Sequence, residues 1–117
     1  MPYPSIIEQS DRAWGNVAQL GPQTLTGTLT LTLAEYNCNF LKLDPGGASR
    51  NVLLWPELDM KGATVFIVNG ADAAENLVLK EDTGTTTIAT VNQNEGAWIQ
   101  CDGTNWGLLC IVTIALS

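Results

Sequence analysis

The side chains that could do chemistry in this sequence are carboxylates, thiols and indoles, with not one histidine among its 117 residues. That absence removes the commonest general base and metal ligand, and with it serine triads, cysteine–histidine pairs and most zinc or copper centres. The carboxylates fall into sequence pairs: Glu57 with Asp59, Asp72 with Glu75, and Glu81 with Asp82. Nothing fixes a second carboxylate at the separation a glycosidase needs, and no D-x-D-x-D-G calcium loop occurs. They read as solvated loop charge, with a calcium ion between Asp72 and Glu75 as the alternative. Cys38, Cys101 and Cys110 are odd in number and lack C-x-x-C spacing, which speaks against a disulfide framework or a zinc site. If Asp102–Asn105 is a hairpin loop, facing residue numbers sum to about 207, which sets Cys110 opposite Ala97 and not opposite Cys101. Three reduced thiols made in a reducing cytoplasm are expected, with Cys101 and Cys110 as small core residues. No catalytic, cofactor or metal residue is assigned, and the chain is not read as an enzyme.

The tryptophans are the other candidates. Asp102-Gly103-Thr104-Asn105-Trp106 reads as a tight turn: Asp and Asn favour it, Gly supplies a positive φ, and Trp106 covers the hairpin end. The alternative for Trp106 is a ring on which a sugar stacks beside polar loop groups. Trp98 lies between Ala97 and Ile99 in a strand, can face either way, and carries the same alternative. Trp55, before Pro56, is expected to close an edge of the core.

These residues need a scaffold, and 12.5 kDa is the size of one domain. Only 15% of residues are charged, below the roughly 25% usual for soluble domains. The net charge of −7 argues against binding nucleic acid or an anionic membrane, both of which require phosphate neutralisation. The N-terminal MPYPSIIEQSDRAW has neither a basic n-region nor a long apolar h-region, so no secretory signal is expected. The longest apolar stretch, Leu108 to Leu116, is far short of the ~20 residues that span a bilayer.

Residues 1–22 read as an arm: Pro2 and Pro4 extend its start, and Ser5 with Glu8 has the spacing of a capping box for a short helix within Ser5 to Gln19. Residues 23–117 read as the β domain. From Gln23 to Leu33 the chain alternates strictly, with Thr24, Thr26, Thr28, Thr30 and Thr32 on one face and Leu25, Leu29, Leu31 and Leu33 on the other. One strand is expected there, with Gly27 marking a bulge or a close backbone approach. Further strands are expected at residues 40–43, 51–55, 64–69, 77–80, 86–91, 97–101 and 106–116, joined by short Gly, Asp and Asn loops. Such spacing predicts an all-β fold, an antiparallel β-sandwich or small jelly roll, with successive hairpins from Thr64 onward. The threonine row also fits an ice-binding reading, but one row is not an array, and Thr suits any pleated, half-exposed face.

Charge is missing where a monomer needs it. None occurs between Arg12 and Glu35 or after Asp102, although exposed strands ordinarily carry Lys or Glu against edge-to-edge association. A homo-oligomer is therefore expected, with Leu25, Thr28, Leu29, Thr30, Leu31, Ile111 and Ile114 at its interface. Tyr3, Ile6, Ile7 and Trp14 of the arm would form a sticky patch in water, so they are expected either to fold back or to dock on another chain.

The tract from Gly62 to Trp106 runs as a Gly-led strand ending in Val-Asn, a loop, a strand, a Gly/Thr turn, a Thr-Ile strand, then Gly-Ala-Trp-Ile and Asp-Gly-Thr-Asn-Trp, with LLWPEL before it. It resembles the β-rich domains of tailed-bacteriophage virion proteins: head fibres, capsid decoration proteins and distal tail-fibre modules. The resemblance covers less than half of the chain and brings no catalytic residues. It implies a homotrimeric structural protein on the capsid surface of a virion, made in a bacterial cytoplasm. Such a protein would bind the major capsid protein through Tyr3, Ile6, Ile7 and Trp14 and stabilise the head as a cement. The alternative is a head- or tail-fibre module that binds host-cell glycans through Trp98 or Trp106.

Overall fold

Short apolar runs punctuated by turn residues leave the backbone one economical way to satisfy its hydrogen bonds, which is to form strands. The computed structural model describes residues 18–32 and 38–114. They hold nine strands: β1 (Ala18–Thr24), β2 (Leu29–Thr30), β3 (Cys38–Asp44), β4 (Arg50–Leu53), β5 (Thr64–Asn69), β6 (Leu77–Lys80), β7 (Thr87–Val91), β8 (Glu95–Cys101) and β9 (Trp106–Thr113). A 3-10 turn at Glu57–Asp59 is the one helical element among the described residues. The all-β expectation stands.

The pairing order departs from expectation. One sheet runs β1-β3-β5-β8-β9 and the other β2-β4-β6-β7. The chain therefore changes sheet at every step from β1 to β6, and each strand lies parallel to the one two places on: β1 with β3, β3 with β5, β2 with β4, β4 with β6. The first six strands make three stacked coils, like a short solenoid. Only afterwards does the chain turn back, with β6–β7 and β8–β9 as hairpins and β5 antiparallel to β8. A purely antiparallel sandwich or jelly roll is thus not the arrangement of these sheets, and the run of hairpins expected from Thr64 is interrupted where β5 leads into the opposite sheet.

The expected strand from Gln23 to Leu33 is two strands. β1 ends at Thr24 in one sheet, the chain bends at Thr26 and Gly27, and β2 begins at Leu29 in the other. Gly27 thus marks a corner between sheets. Residues 18–22, assigned to the arm, form the start of β1. The rest of the arm, with Ser5, Glu8, Tyr3, Ile6, Ile7 and Trp14, lies outside the described residues, as do Leu33 and the last three residues.

The core is the space between the sheets. Leu41, Leu43, Val65, Ile67, Ala97, Ile99 and Cys101 from the first sheet meet Val52, Leu77, Leu79, Ala89 and Val91 from the second. Leu25 and Leu31 join this cluster at 4% and 2% exposure. The leucine face expected to meet another copy is therefore used inside the chain itself, because the bend at Gly27 turns both leucines inward. Leu29 packs on the cluster only partly, and Thr28 and Thr30 are exposed.

A buried polar clamp ties the coils to the returning hairpins. Asn69, fully buried at the end of β5, donates from Nδ2 to Glu75 O (2.8 Å) and Val91 O (2.9 Å) and accepts from Ala71 N (2.9 Å). A buried amide needs partners for its donors and acceptor, and here backbone groups supply all three.

Candidate functional site

The two sheets are unequal, five strands against four, and β9 is the surplus strand. Its register places Leu108 beside Ile99 and Ile111 beside Ala97 on the inner face, with Cys110 beside Trp98 and Val112 beside Gly96 on the outer. Because no fifth strand of the second sheet stands opposite among the described residues, even the inner-facing residues reach past the core. Leu108, Leu109, Ile111 and Val112 are 41%, 55%, 37% and 39% exposed. No charged residue lies on β9, and among the described residues the far edge of the strand has no neighbour in its sheet. This is the combination that soluble monomers avoid at sheet edges.

The hairpin register holds as expected near the turn, where Ile99 pairs with Leu108. It then shifts by one at a bulge that leaves Leu109 as the extra residue. Cys110 consequently faces Trp98, not Ala97. The described cysteines are all free thiols: Cys38 half-buried, Cys101 buried in the core as expected, and Cys110 exposed and not in the core, because the bulge turns it to the outer face. Burial pushes the Cys101 thiol pKa up, so it stays protonated and inert.

Next to β9, the outer face of the five-stranded sheet carries an aromatic row. Phe40 of β3 lies beside Phe66 of β5, and Phe66 lies beside Trp98 of β8. The two phenyl centroids are 5.8 Å apart at 36°, and Phe66 meets Trp98 edge-on at 6.4 Å and 87°. Ile114 and Phe66 close over Gly96, where a Cβ would sit 2.6 Å from the Phe66 ring. Asn39, Phe40, Thr64, Phe66 and Trp98 line an open groove of about 460 Å³. Asn39 enters it through a second irregularity: Ala18 and Gln19 are consecutive in β1 but face Cys38 and Phe40, so Asn39 is the extra residue of β3. Its Oδ1 is buried and accepts no hydrogen bond. Neither Asn39 nor the phenylalanines stood out in the sequence.

The two candidate sugar-facing tryptophans separate cleanly. Trp98 stays 46% exposed in the groove. Trp106 is buried: its Nε1–H donates to Trp55 O (2.8 Å), the rings lie 6.1 Å apart, and Trp55 in turn donates to Thr32 O (2.7 Å). Trp106 covers the hairpin end, as the turn chemistry of Asp102–Asn105 implied, and Trp55 is wholly within the core.

The carboxylates gather as loop architecture. Asp44 joins the sequence pair Asp72 and Glu75, and Glu57 joins Glu81 and Asp82, with ligand oxygens within 4.8 Å in each group. Glu81 organises the β6–β7 loop: its carboxylate accepts from the Thr83 hydroxyl (2.6 Å) and from the N–H groups of Thr83 (3.1 Å), Thr85 (2.6 Å) and Thr86 (3.2 Å). These bonds, the Thr83 hydroxyl foremost, hold its pKa down to about 2 against desolvation. Asp102 does the same at the β8–β9 turn, where the N–H groups of Asn105 (2.7 Å) and Thr104 (2.8 Å) lower its pKa. No family model, curated protein or solved structure matches this chain.

Proposed function

We propose that this is a structural, non-enzymatic protein that works by assembly: a homotrimer that decorates and stabilises the outer surface of a phage head. The observation that carries the reading is β9, an eight-residue strand with no charge, an edge unpaired among the described residues and four half-exposed aliphatic side chains. Interfaces between permanent partners have this composition, and freely solvated edges do not. Ile111, Ile114, Thr28, Thr30 and the half-buried Leu29 remain as interface candidates, and Leu25 and Leu31 drop out because the core already holds them. The antiparallel jelly roll is not needed for this role; a rigid β-body with one greasy edge suffices.

The partners are other copies of the chain and the major capsid protein, reached through Tyr3, Ile6, Ile7 and Trp14. A ligand that binds only the assembled lattice stabilises that lattice by mass action, about 2.7 kcal/mol per site at a hundredfold excess over Kd. Co-sedimentation with undecorated heads tests the reading, followed by calorimetry of the decorated ones. Stoichiometric binding and a raised capsid melting temperature are expected. Failure to sediment with heads, or no change in their melting, refutes it.

A further inference from the structure

We propose that the groove across β3, β5 and β8 is a carbohydrate-binding site for a neutral pyranose, formed within one chain and independent of assembly through β9. Three features of the groove converge on that ligand. First, an outer sheet face ordinarily alternates toward polar residues, yet Phe40, Phe66 and Trp98 stand in one row across three strands. Phe66 meets Trp98 edge-on, while almost half of Trp98 stays open. An indole face with its negative quadrupole suits the C–H-rich face of a sugar ring.

Second, the polar groups at the groove are neutral. Asn39 and Thr64 line it, and the exposed Gln100 lies beside Thr64 on the neighbouring strand. Amides and hydroxyls both give and accept hydrogen bonds, as sugar hydroxyls require. No cation lines the groove to draw in phosphate or an acidic sugar, and the net charge of −7 opposes both.

Third, the Asn39 amide is incomplete. Its Oδ1 has lost water and gained no donor, a condition that native proteins rarely leave without a purpose. The bulge that makes Asn39 the extra residue of β3 brings this amide to the groove, and bulges recur beside binding sites because they re-aim a side chain. Rotation of the amide offers a sugar hydroxyl the missing partnership. The volume of about 460 Å³ falls within the range of small-ligand sites. A peptide fits less well: the aromatic row crosses the strands in the middle of a sheet, where an added strand finds no free backbone edge.

The test titrates the full-length protein with a panel of neutral methyl pyranosides and their short α- and β-linked oligomers, with sialic acid and an apolar peptide as contrasts. Binding is read by saturation-transfer NMR and by the Trp98 indole N–H resonance. At least one neutral sugar should bind saturably at millimolar concentration or below and shift the Trp98 indole signal. Trp98→Ala should weaken that binding at least tenfold and Asn39→Ala severalfold. Leu58→Ala, 87% exposed and outside the groove lining, should leave it unchanged. The wild-type indole readout stands even if a groove variant folds poorly. The proposal is overturned if no panel sugar binds, if sugar binds without moving the Trp98 indole, or if only sialic acid or the peptide occupies the site. None of these results depends on whether the protein binds capsids.

Discussion

Placing a lysine at Leu109 probes whether β9 is an interface. Leu109 is the bulged residue and the most exposed aliphatic side chain of that strand. The exposed portions of Leu108, Leu109, Ile111 and Val112 together amount to somewhat less than two whole side chains. Covering them gains about 3–5 kcal/mol per chain at the usual value for aliphatic burial. In a pair both chains gain it, roughly 6–10 kcal/mol, against an association cost of about 4–15 kcal/mol. The two are close enough that one substitution decides the outcome. Leu109→Lys forfeits about 1–1.5 kcal/mol of burial on each chain and forces the contact to strip water from an ammonium group, a further penalty of several kcal/mol. The variant should therefore be monomeric in sedimentation equilibrium at concentrations where the wild type associates. Its thermal midpoint measured as a monomer should hardly move, because Leu109 is not part of the core cluster. A Leu109→Lys protein with the wild-type oligomeric mass, or a wild type that stays monomeric at every concentration, would show that β9 is not the contact.

Three more outcomes are expected. Asn69→Ala should cost about 3 kcal/mol or more in urea unfolding, since it strands Glu75 O, Val91 O and Ala71 N–H inside the fold; a loss below 1 kcal/mol would mean that water reaches these groups. Trp106→Phe should destabilise by about 2–4 kcal/mol, because it leaves the buried Trp55 carbonyl unpaired and opens a void beside the Trp55 ring. The folded pKa of Glu81, about 2, lies below its unfolded value, so its contribution is present above about pH 4.5 and fades as the pH falls toward 2. The amide shifts of Thr83, Thr85 and Thr86 should titrate together with a midpoint near that low value and lose the transition in Glu81→Gln; a midpoint near 4 would refute the carboxylate clamp.

Strand positions were legible because alternation and turn residues are local. β5 and β6 fall where the sequence placed them, and β7, β8 and the start of β9 differ by a residue or two at most. Partner choice was not legible. Leu41 gains a face toward the core whether its neighbour is parallel or antiparallel, so the pattern carries no information about Ile67 lying beside it. The split of Gln23–Leu33 hung on Gly27, which interrupts the leucines as a bulge or a corner equally well. Trp106 was legible from its turn. The groove was not: Phe40, Phe66 and Trp98 are 58 residues apart at their extremes and meet only through the parallel step from β3 to β5 and the antiparallel one to β8. Asn39 emerged from a register slip, which no single-strand pattern encodes.

Stacked turns give the molecule a strong end and a weak one. At β7, β8 and β9 the returning hairpins cross-link successive layers, and Asn69 rivets them to β5. At the opposite end, among the described residues, β1 and β2 are sheet edges, and β2 pairs with β4 over just two residues, Leu29 and Thr30. Melting should accordingly begin there and advance layer by layer, so that amide protons of Leu29 exchange long before those of Ile67 or Ile99. Anything that seals the β1–β2 end would lengthen the lifetime of the whole body without touching its interior.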